Sequence, residues 1–407
     1  MNAATAAVVT VGTELVTGLL VDTNTSEVSL ALVRAGVRVI EAVSVPDDEA
    51  LLAATLRRLI ADADIVVVTG GLGPTHDDIT REATAAALGI PLVRDPVIEA
   101  GLARWAARHT DARASERILV QADVLHGARV LPALLGTAPG QVVATPRGSL
   151  VLLPGPPREM RPLLAGLSAE WGQGATPPAI LRCAAVSESD VQVATQDVLG
   201  GRADVELTVL AAPGDVRVVL FDHGVGAKGL AAVARDVAAR LGPLCYSTDG
   251  SSLAETVLRL AHEGGETLGT AESCTGGLVA AALTAVPGAS DVFTGSIVSY
   301  SDRVKMDQLH VPPGMLAQYG AVSEHVARAM AEGARAALDV SLALAVTGIA
   351  GPGGGSDAKP VGTVWFAVSS TRGTRCEQRH FPGDREIVRA RSAALGLDLL
   401  RRSLQGL

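Results

Sequence analysis

Aromatic residues are scarce in this sequence, at 2% of 407 positions. Its cores must therefore be aliphatic, drawn from the 48% of residues that are apolar, mostly Ala, Val and Leu. Few rings also means few platforms on which nucleic-acid bases could stack. Basic blocks are missing as well. The formal net charge is -9, which argues against general phosphate-backbone binding and hence against a nucleic-acid partner. A single nucleotide remains compatible, because a loop of backbone N–H groups holds phosphate whatever the net charge. The four cysteines, Cys183, Cys245, Cys274 and Cys376, are scattered, with no C-x-x-C pair and no His/Cys cluster at zinc spacing. That excludes a recognisable structural zinc site and fits a reducing cytoplasm. No apolar run reaches membrane-spanning length, so no membrane contact is expected. The first residues lack a basic region and run into strand-like Ala6-Ala7-Val8-Val9, so no signal peptide is expected.

What is present alternates between strand and helix signals. Strand-like runs at Ala6–Val11, Val37–Val45 and Ile65–Thr69 are separated by helical patterns at Asp22–Ala35, Glu49–Ala61 and Asp78–Leu88. Repeats of this length predict a doubly wound α/β domain over residues 1–170, with a parallel sheet covered on both faces. A Gly/Pro-rich stretch at Gly172–Pro178 looks like a linker. A small α+β unit over 171–249 follows, with strands near Leu181–Val186 and Val216–Phe221 and a helix at Lys228–Leu241. A third α/β unit, layered α/β/α, is expected over 250–407. Its helices are read at Leu253–His262, Gly276–Thr284, Glu324–Leu338 and Asp384–Leu404, and its strands at Thr267–Ala271, Val292–Tyr300, Leu342–Val346, Val361–Ser369 and Arg375–Phe381. Ligands in such folds sit at the carboxyl ends of strands.

In the third unit, Ala271-Glu272-Ser273-Cys274-Thr275-Gly276-Gly277 lies between a strand and a helix. A serine there can present its hydroxyl to a cleft beside unpaired helix N-terminal N–H groups, as a nucleophile and an oxyanion pocket require. Alone, the segment is more often a helix cap. Ser299-Tyr300-Ser301-Asp302-Arg303-Val304-Lys305 follows the next strand, and a neutral lysine can serve as base to a serine. Most lysines, however, are simply solvated. Val346-Thr347-Gly348-Ile349-Ala350-Gly351-Pro352, with Lys359 nearby, suits a ligand loop. Arg385, opening the last helix, could clamp a phosphate or be an ordinary surface residue. Cys274 is a rival nucleophile; it ranks below Ser273 because its helix-side position tends to pack inward.

In the first unit, Gly12-Thr13-Glu14-Leu15 and Thr69-Gly70-Gly71-Leu72-Gly73-Pro74-Thr75-His76-Asp77-Asp78 are loops where glycines permit close phosphate approach. Asp77 and Asp78 could hold a hard divalent cation bridging phosphates, or merely favour a helix N-terminus. Two more segments, Gly136-Thr137-Ala138-Pro139-Gly140 and Pro154-Gly155-Pro156-Pro157, flank strands.

The third-unit motifs, taken in order with Lys359-Pro360-Val361-Gly362-Thr363-Val364 and Gly383-Asp384-Arg385, resemble the CinA C-terminal family from about Leu253 onward. That family resembles nicotinamide mononucleotide deamidases. The resemblance implies hydrolysis of the pyridine carboxamide to nicotinate mononucleotide and ammonia, with Ser273 as nucleophile, Lys305 as base, and Tyr300 as a further catalytic-site residue. Thr275, Gly276, Thr347, Gly348, Gly351, Lys359 and Arg385 would bind substrate, and no cofactor is required. Asp302 departs from the family's usual Asn, and its charge should raise the Lys305 pKa and weaken the base. The first unit resembles the CinA N-terminal, molybdopterin-binding-like domain over roughly Ala6–Leu167. This implies an ADP-ribose pyrophosphatase site at Glu14, Asp47, Gly70, Gly71, Gly73, Thr75, Asp77 and Asp78, with a divalent metal such as magnesium on Asp47 and Asp78. Departures here are Val120, where the family has Lys, and Ala133, where it has Asn. The middle unit resembles the family's KH-like linker domain, with no Gly-x-x-Gly clamp read in the expected loop and an unfavourable net charge, so no RNA binding is expected. The expected partners are small-molecule nucleotides and a second copy in a homodimer. The alternatives are a pterin- or nucleotide-binding protein without turnover and a competence- or repair-associated interaction protein.

Overall fold

The structure, a computed structural model, describes residues 4–109, 117–171 and 176–407. The first four residues of the expected linker, at 172–175, lie outside that set. The chain divides into two compact units, Met1–Pro178 and Ala179–Leu407. Among the described residues no helix is long and apolar enough to cross a membrane.

In the first unit, β1 (Thr5–Val11), β2 (Arg38–Val45) and β3 (Ile65–Thr69) fall within a residue or so of the sequence expectation. They are followed by β4 (Leu92–Arg94), β5 (Asp123–Leu125), β6 (Arg129–Leu131), β7 (Gly140–Ala144) and β8 (Ser149–Leu153). The main sheet has the order β2-β1-β3-β8-β7-β6. Alternate residues feed two cores. Ala7, Val9, Val66, Val68, Leu150 and Leu152 point to one face, and Ala6, Val8, Val67, Val151 and Leu153 to the other. Strands buried on both faces read as continuous apolar runs, which is why these were legible. The sheet is not wholly parallel, as strand–helix alternation had predicted. β2, β1, β3 and β8 are parallel, but β7 pairs antiparallel with both β8 and β6. The tight turn from Thr145 to Gly148, closed by Thr145 N–H to the Gly148 carbonyl at 3.0 Å, forces β7 and β8 into a hairpin.

The second unit holds two sheets. β9 (Ala179–Cys183), β10 (Val205–Ala212), β11 (Asp215–Asp222) and β12 (Cys245–Ser247) form an antiparallel sheet of order β10-β11-β9-β12. Helices Glu188–Leu199 and Gly226–Leu241 pack on its core. The α+β expectation holds. The β-α-β-β-α-β succession is the split-βαβ pattern, and the first helix, β10 and β12 had not been read from the sequence.

The larger sheet comprises β13 (Leu268–Glu272), β14 (Phe293–Val298), β15 (Leu342–Gly348), β16 (Thr363–Ser370) and β17 (Gly373–His380), in the order β14-β13-β15-β16-β17. Leu342, Leu344 and Val346 face a core shared with helices Leu253–Gly264 and Arg385–Gln405. Ala343 and Ala345 face one shared with helix Glu324–Ala337. The α/β/α layering is as expected. β14 and β15 flank β13 in parallel, so the chain reverses its direction of winding around β13. Crevices open at such switch points, outside the carboxyl ends of the strands.

Candidate active site

Ser273 follows the last residue of β13, the strand at the switch point. Two main-chain bonds lock that end of the strand. Ser273 N–H donates to the Val346 carbonyl at 2.9 Å, and Ser299 N–H donates to the Glu272 carbonyl at 2.8 Å. Positive φ at Gly276 (62°) and Gly277 (97°) then turns the chain sharply into helix Leu278–Thr284, a course that residues with a Cβ rarely follow. On the next connection Ser301 caps helix Asp302–Leu309, accepting from Val304 N–H at 3.4 Å. The cap sets the helix phase so that Lys305, one turn in, points inward and is only 1% exposed.

These two connections bring the expected pair together. Lys305 Nζ lies 3.2 Å from Ser273 Oγ and donates to the Ser299 carbonyl at 2.8 Å. Burial pushes the Lys305 pKa below its ordinary 10.5, although the charge of Asp302 acts the other way. Asp302, 3.9 Å from Nζ, thus has the expected sign, but desolvation outweighs it. Cys274 is buried too, and its thiol is pushed up to about 12, chiefly by desolvation. A thiol held protonated is a poor nucleophile at neutral pH.

Ser273, Lys305, Tyr300, Thr347, Gly348 and Arg385 line one pocket of about 210 Å³, together with Cys274 and Asp302. Arg385 reaches across it, donating to Tyr300 Oη at 2.8 Å and to the Gly351 carbonyl at 2.9 Å. Four residues expected to bind substrate are not in the wall. Thr275 is fully buried. Gly276 serves the turn. Gly351 contributes the carbonyl that holds Arg385, and Lys359 is tied by Nζ to the Tyr319 carbonyl at 2.8 Å.

One expectation is corrected outright. The N–H groups opening helix Leu278–Thr284 are not free to form an oxyanion pocket. The Glu272 carboxylate, fully buried, accepts from Gly277, Val279 and Ala280 N–H at 2.9, 3.2 and 2.9 Å. Glu272 stands within the Ala271–Gly277 motif, but the sequence alone gives it no role. Nothing in its spacing marks that role; the N–H groups at a helix start need an acceptor, and the fold brings this carboxylate to them. Arg389 was missed as well. It donates to the Cys274 and Thr275 carbonyls at 3.2 and 2.9 Å, and its four-residue spacing from Arg385 places both on one helix face. Glu272→Ala should cost about 2–4 kcal/mol in urea unfolding, because it strands three donors, one buried and two part-buried. A loss below about 1 kcal/mol would show that water replaces the carboxylate.

In the first unit the loops at the carboxyl ends of β1, β2 and β3 carry the expected residues. A Cβ on Gly70, at φ 105°, would stand 2.4 Å from the Val11 carbonyl oxygen, so glycine is required there. Asp47 accepts from Thr13 N–H at 2.8 Å. Asp78 accepts from Gly73 N–H, Thr75 N–H and Thr75 Oγ1 at 2.8, 2.7 and 2.5 Å. Glu14 and Asp77 are exposed, and Gly71 sits against Thr80. Among the described residues no group of three or more His, Cys, Asp and Glu side chains could hold a metal. Asp78 is committed to its own loop, whereas Asp47 spends one oxygen on Thr13 in the loop after β1, so the two aspartates alone do not form a metal cage of the protein.

Residues 250–404 match the CinA C-terminal domain, and residues 7–170 match the probable molybdopterin binding domain. A putative competence-damage inducible protein of Symbiobacterium thermophilum is 40% identical over 422 residues, covering 98% of this chain and 99% of its own. The chain belongs to the CinA family. A CinA-like protein of Acidobacterium capsulatum is 39% identical, covering 98% of this chain and 99% of its own. Among solved structures, competence/damage inducible protein CihA from Agrobacterium tumefaciens is 39% identical over 38% of this chain and 93% of its own, with a TM-score of 0.37. CinA from Thermoplasma acidophilum is 32% identical over 42% of this chain and 99% of its own, with a TM-score of 0.39.

Proposed function

We propose that this CinA-family chain hydrolyses the carboxamide of nicotinamide mononucleotide, giving nicotinate mononucleotide and ammonia. The observation that carries the reading is the 3.2 Å contact between Ser273 Oγ and the Nζ of a buried lysine whose pKa is lowered. A neutral Lys305 takes the Ser273 proton as Oγ bonds to the amide carbon. It returns that proton to the departing nitrogen, and ammonia leaves. The resulting ester is opened by a water that Lys305 deprotonates in turn, which regenerates Ser273 and releases the carboxylate. The test is conversion of nicotinamide mononucleotide by the purified chain, read as equal amounts of ammonia and nicotinate mononucleotide. No ammonia from verified folded protein would overturn the reading.

Arg385 supplies the charge for the substrate's phosphate and Tyr300 its wall. Arg385→Ala should raise KM about tenfold or more and change kcat less, as loss of a charge-assisted contact made equally in ground and transition states does. A fall in kcat at unchanged KM would show that Arg385 acts elsewhere.

For the first unit, the self-clasped Asp78 favours ligand binding over metal-dependent cleavage. Its glycine loops should bind ADP-ribose with an affinity that changes less than threefold when magnesium is added. Titration calorimetry with and without the metal checks this, and metal-dependent release of AMP would restore the pyrophosphatase reading.

A further inference from the structure

The antiparallel sheet of the second unit sets two cysteines face to face. Cys183, at the end of β9, is the register partner of Cys245, the first residue of β12. Ala184 donates its N–H to the Leu244 carbonyl at 3.0 Å, one position further along. Hydrogen-bonded and non-hydrogen-bonded pairs alternate in an antiparallel ladder, so Cys183 and Cys245 occupy a non-hydrogen-bonded pair. There Cα atoms approach to about 4.5 Å and side chains share one face of the sheet. That separation lies inside the range a disulfide spans, roughly 4.4–6.8 Å. Both cysteines are free thiols.

The two differ in access. Cys183 is fully buried in the sheet's core. Cys245 is half-buried and lines a pocket of about 150 Å³ with Ser247, Asp249 and Arg259 among its walls. The Cys183 thiol, hydrogen-bonding to the Cys245 sulfur, holds the Cys245 pKa below its ordinary value, with help from the Ser247 backbone and the charge of Arg401. The same contact and burial push Cys183 up. The other two cysteines have no such partner. Cys274 lines the Ser273 pocket, and Cys376 on β17 faces Ala367.

We propose that Cys245 and Cys183 form a two-thiol oxidation site for small hydroperoxides, closing to a cross-strand disulfide. The Cys245 sulfur attacks one peroxide oxygen and the O–O bond breaks. The second oxygen leaves as alcohol, or as water for hydrogen peroxide, carrying the Cys245 proton. Cys245 is then a sulfenic acid. The Cys183 sulfur attacks it, the S–O bond breaks, and hydroxide leaves with the Cys183 proton as water. Two thiols are oxidised by two electrons and one peroxide is reduced. The site does not depend on the hydrolase reading.

The test uses the full chain, reduced, freed of reductant and exposed to hydrogen peroxide, then alkylated in denaturant, digested and mapped by mass. The expected result is loss of two of the four thiols, with one linked pair of peptides containing Cys183 and Cys245, reversed by dithiothreitol. In Cys183→Ser the linked pair disappears and Cys245 is trapped by dimedone as the sulfenic acid. Four alkylated cysteines in the treated wild type, or a link through Cys274 or Cys376, would overturn the proposal. The wild-type map decides the matter even if the variant does not fold.

Discussion

Ser273→Ala should lower ammonia release from nicotinamide mononucleotide by about 10⁴-fold or more, the scale on which removing a serine nucleophile acts. Cys274→Ala should leave it within a few-fold of wild type. The contrast follows from neighbouring positions with opposite environments. Ser273 Oγ has Lys305 Nζ at 3.2 Å. The Cys274 thiol lines the same pocket but is held protonated by burial, its pKa pushed up to about 12. Initial rates of both variants, with circular dichroism to verify folding, check the prediction. Equal losses in the two would mean that the loop acts as a shape and that neither atom is the nucleophile.

Lys305→Met should lower the rate by about 10²–10⁴-fold, the usual worth of a general base, and should raise stability at neutral and acid pH. The folded-state pKa of Lys305 lies below its unfolded value of 10.5. Between the two values the unfolded chain binds a proton that the folded chain does not. Stability therefore rises with pH across that window, and the cost of the buried ammonium is fully present below the folded value. Methionine removes that cost in nearly the same volume. The wild-type rate should climb with pH to a plateau as Lys305 loses its proton, and Asp302→Asn should move that climb to lower pH by removing a charge that favours the ammonium. A lysine variant that melts lower than wild type at pH 7 would contradict this account of the site.

The sequence disclosed much of this, for physical reasons. Strands buried on both faces, such as Val66-Val67-Val68, announce themselves as apolar runs, and the loops after them carry the glycines and polar residues that a crevice needs. Pairing Ser273 with Lys305 needed a resemblance as well, because 31 residues intervene between them and only the sheet order joins them. Helix Asp302–Leu309 was not foreseen. Its lysine reads as a solvated residue until the fold buries it. Edge strand β6 is not legible, and the strand after Gly140, β7, is legible only without its antiparallel direction, because short antiparallel pieces carry little periodicity. The role of Glu272 was hidden for another reason. A carboxylate that satisfies backbone donors leaves no trace in spacing. Asp78 shows the converse: a residue that reads as a metal ligand spends its lone pairs on Gly73 and Thr75.

Interception of an acyl-enzyme by hydroxylamine tests the central claim, covalent catalysis by Ser273, most directly. With nicotinamide mononucleotide and the wild-type chain, the account predicts that added hydroxylamine diverts product from nicotinate mononucleotide to the corresponding hydroxamate, with ammonia release undiminished, and that Ser273→Ala forms neither product. Wild-type turnover that yields the carboxylate alone at every hydroxylamine concentration would contradict it, and would make Lys305 the base for a direct attack by water.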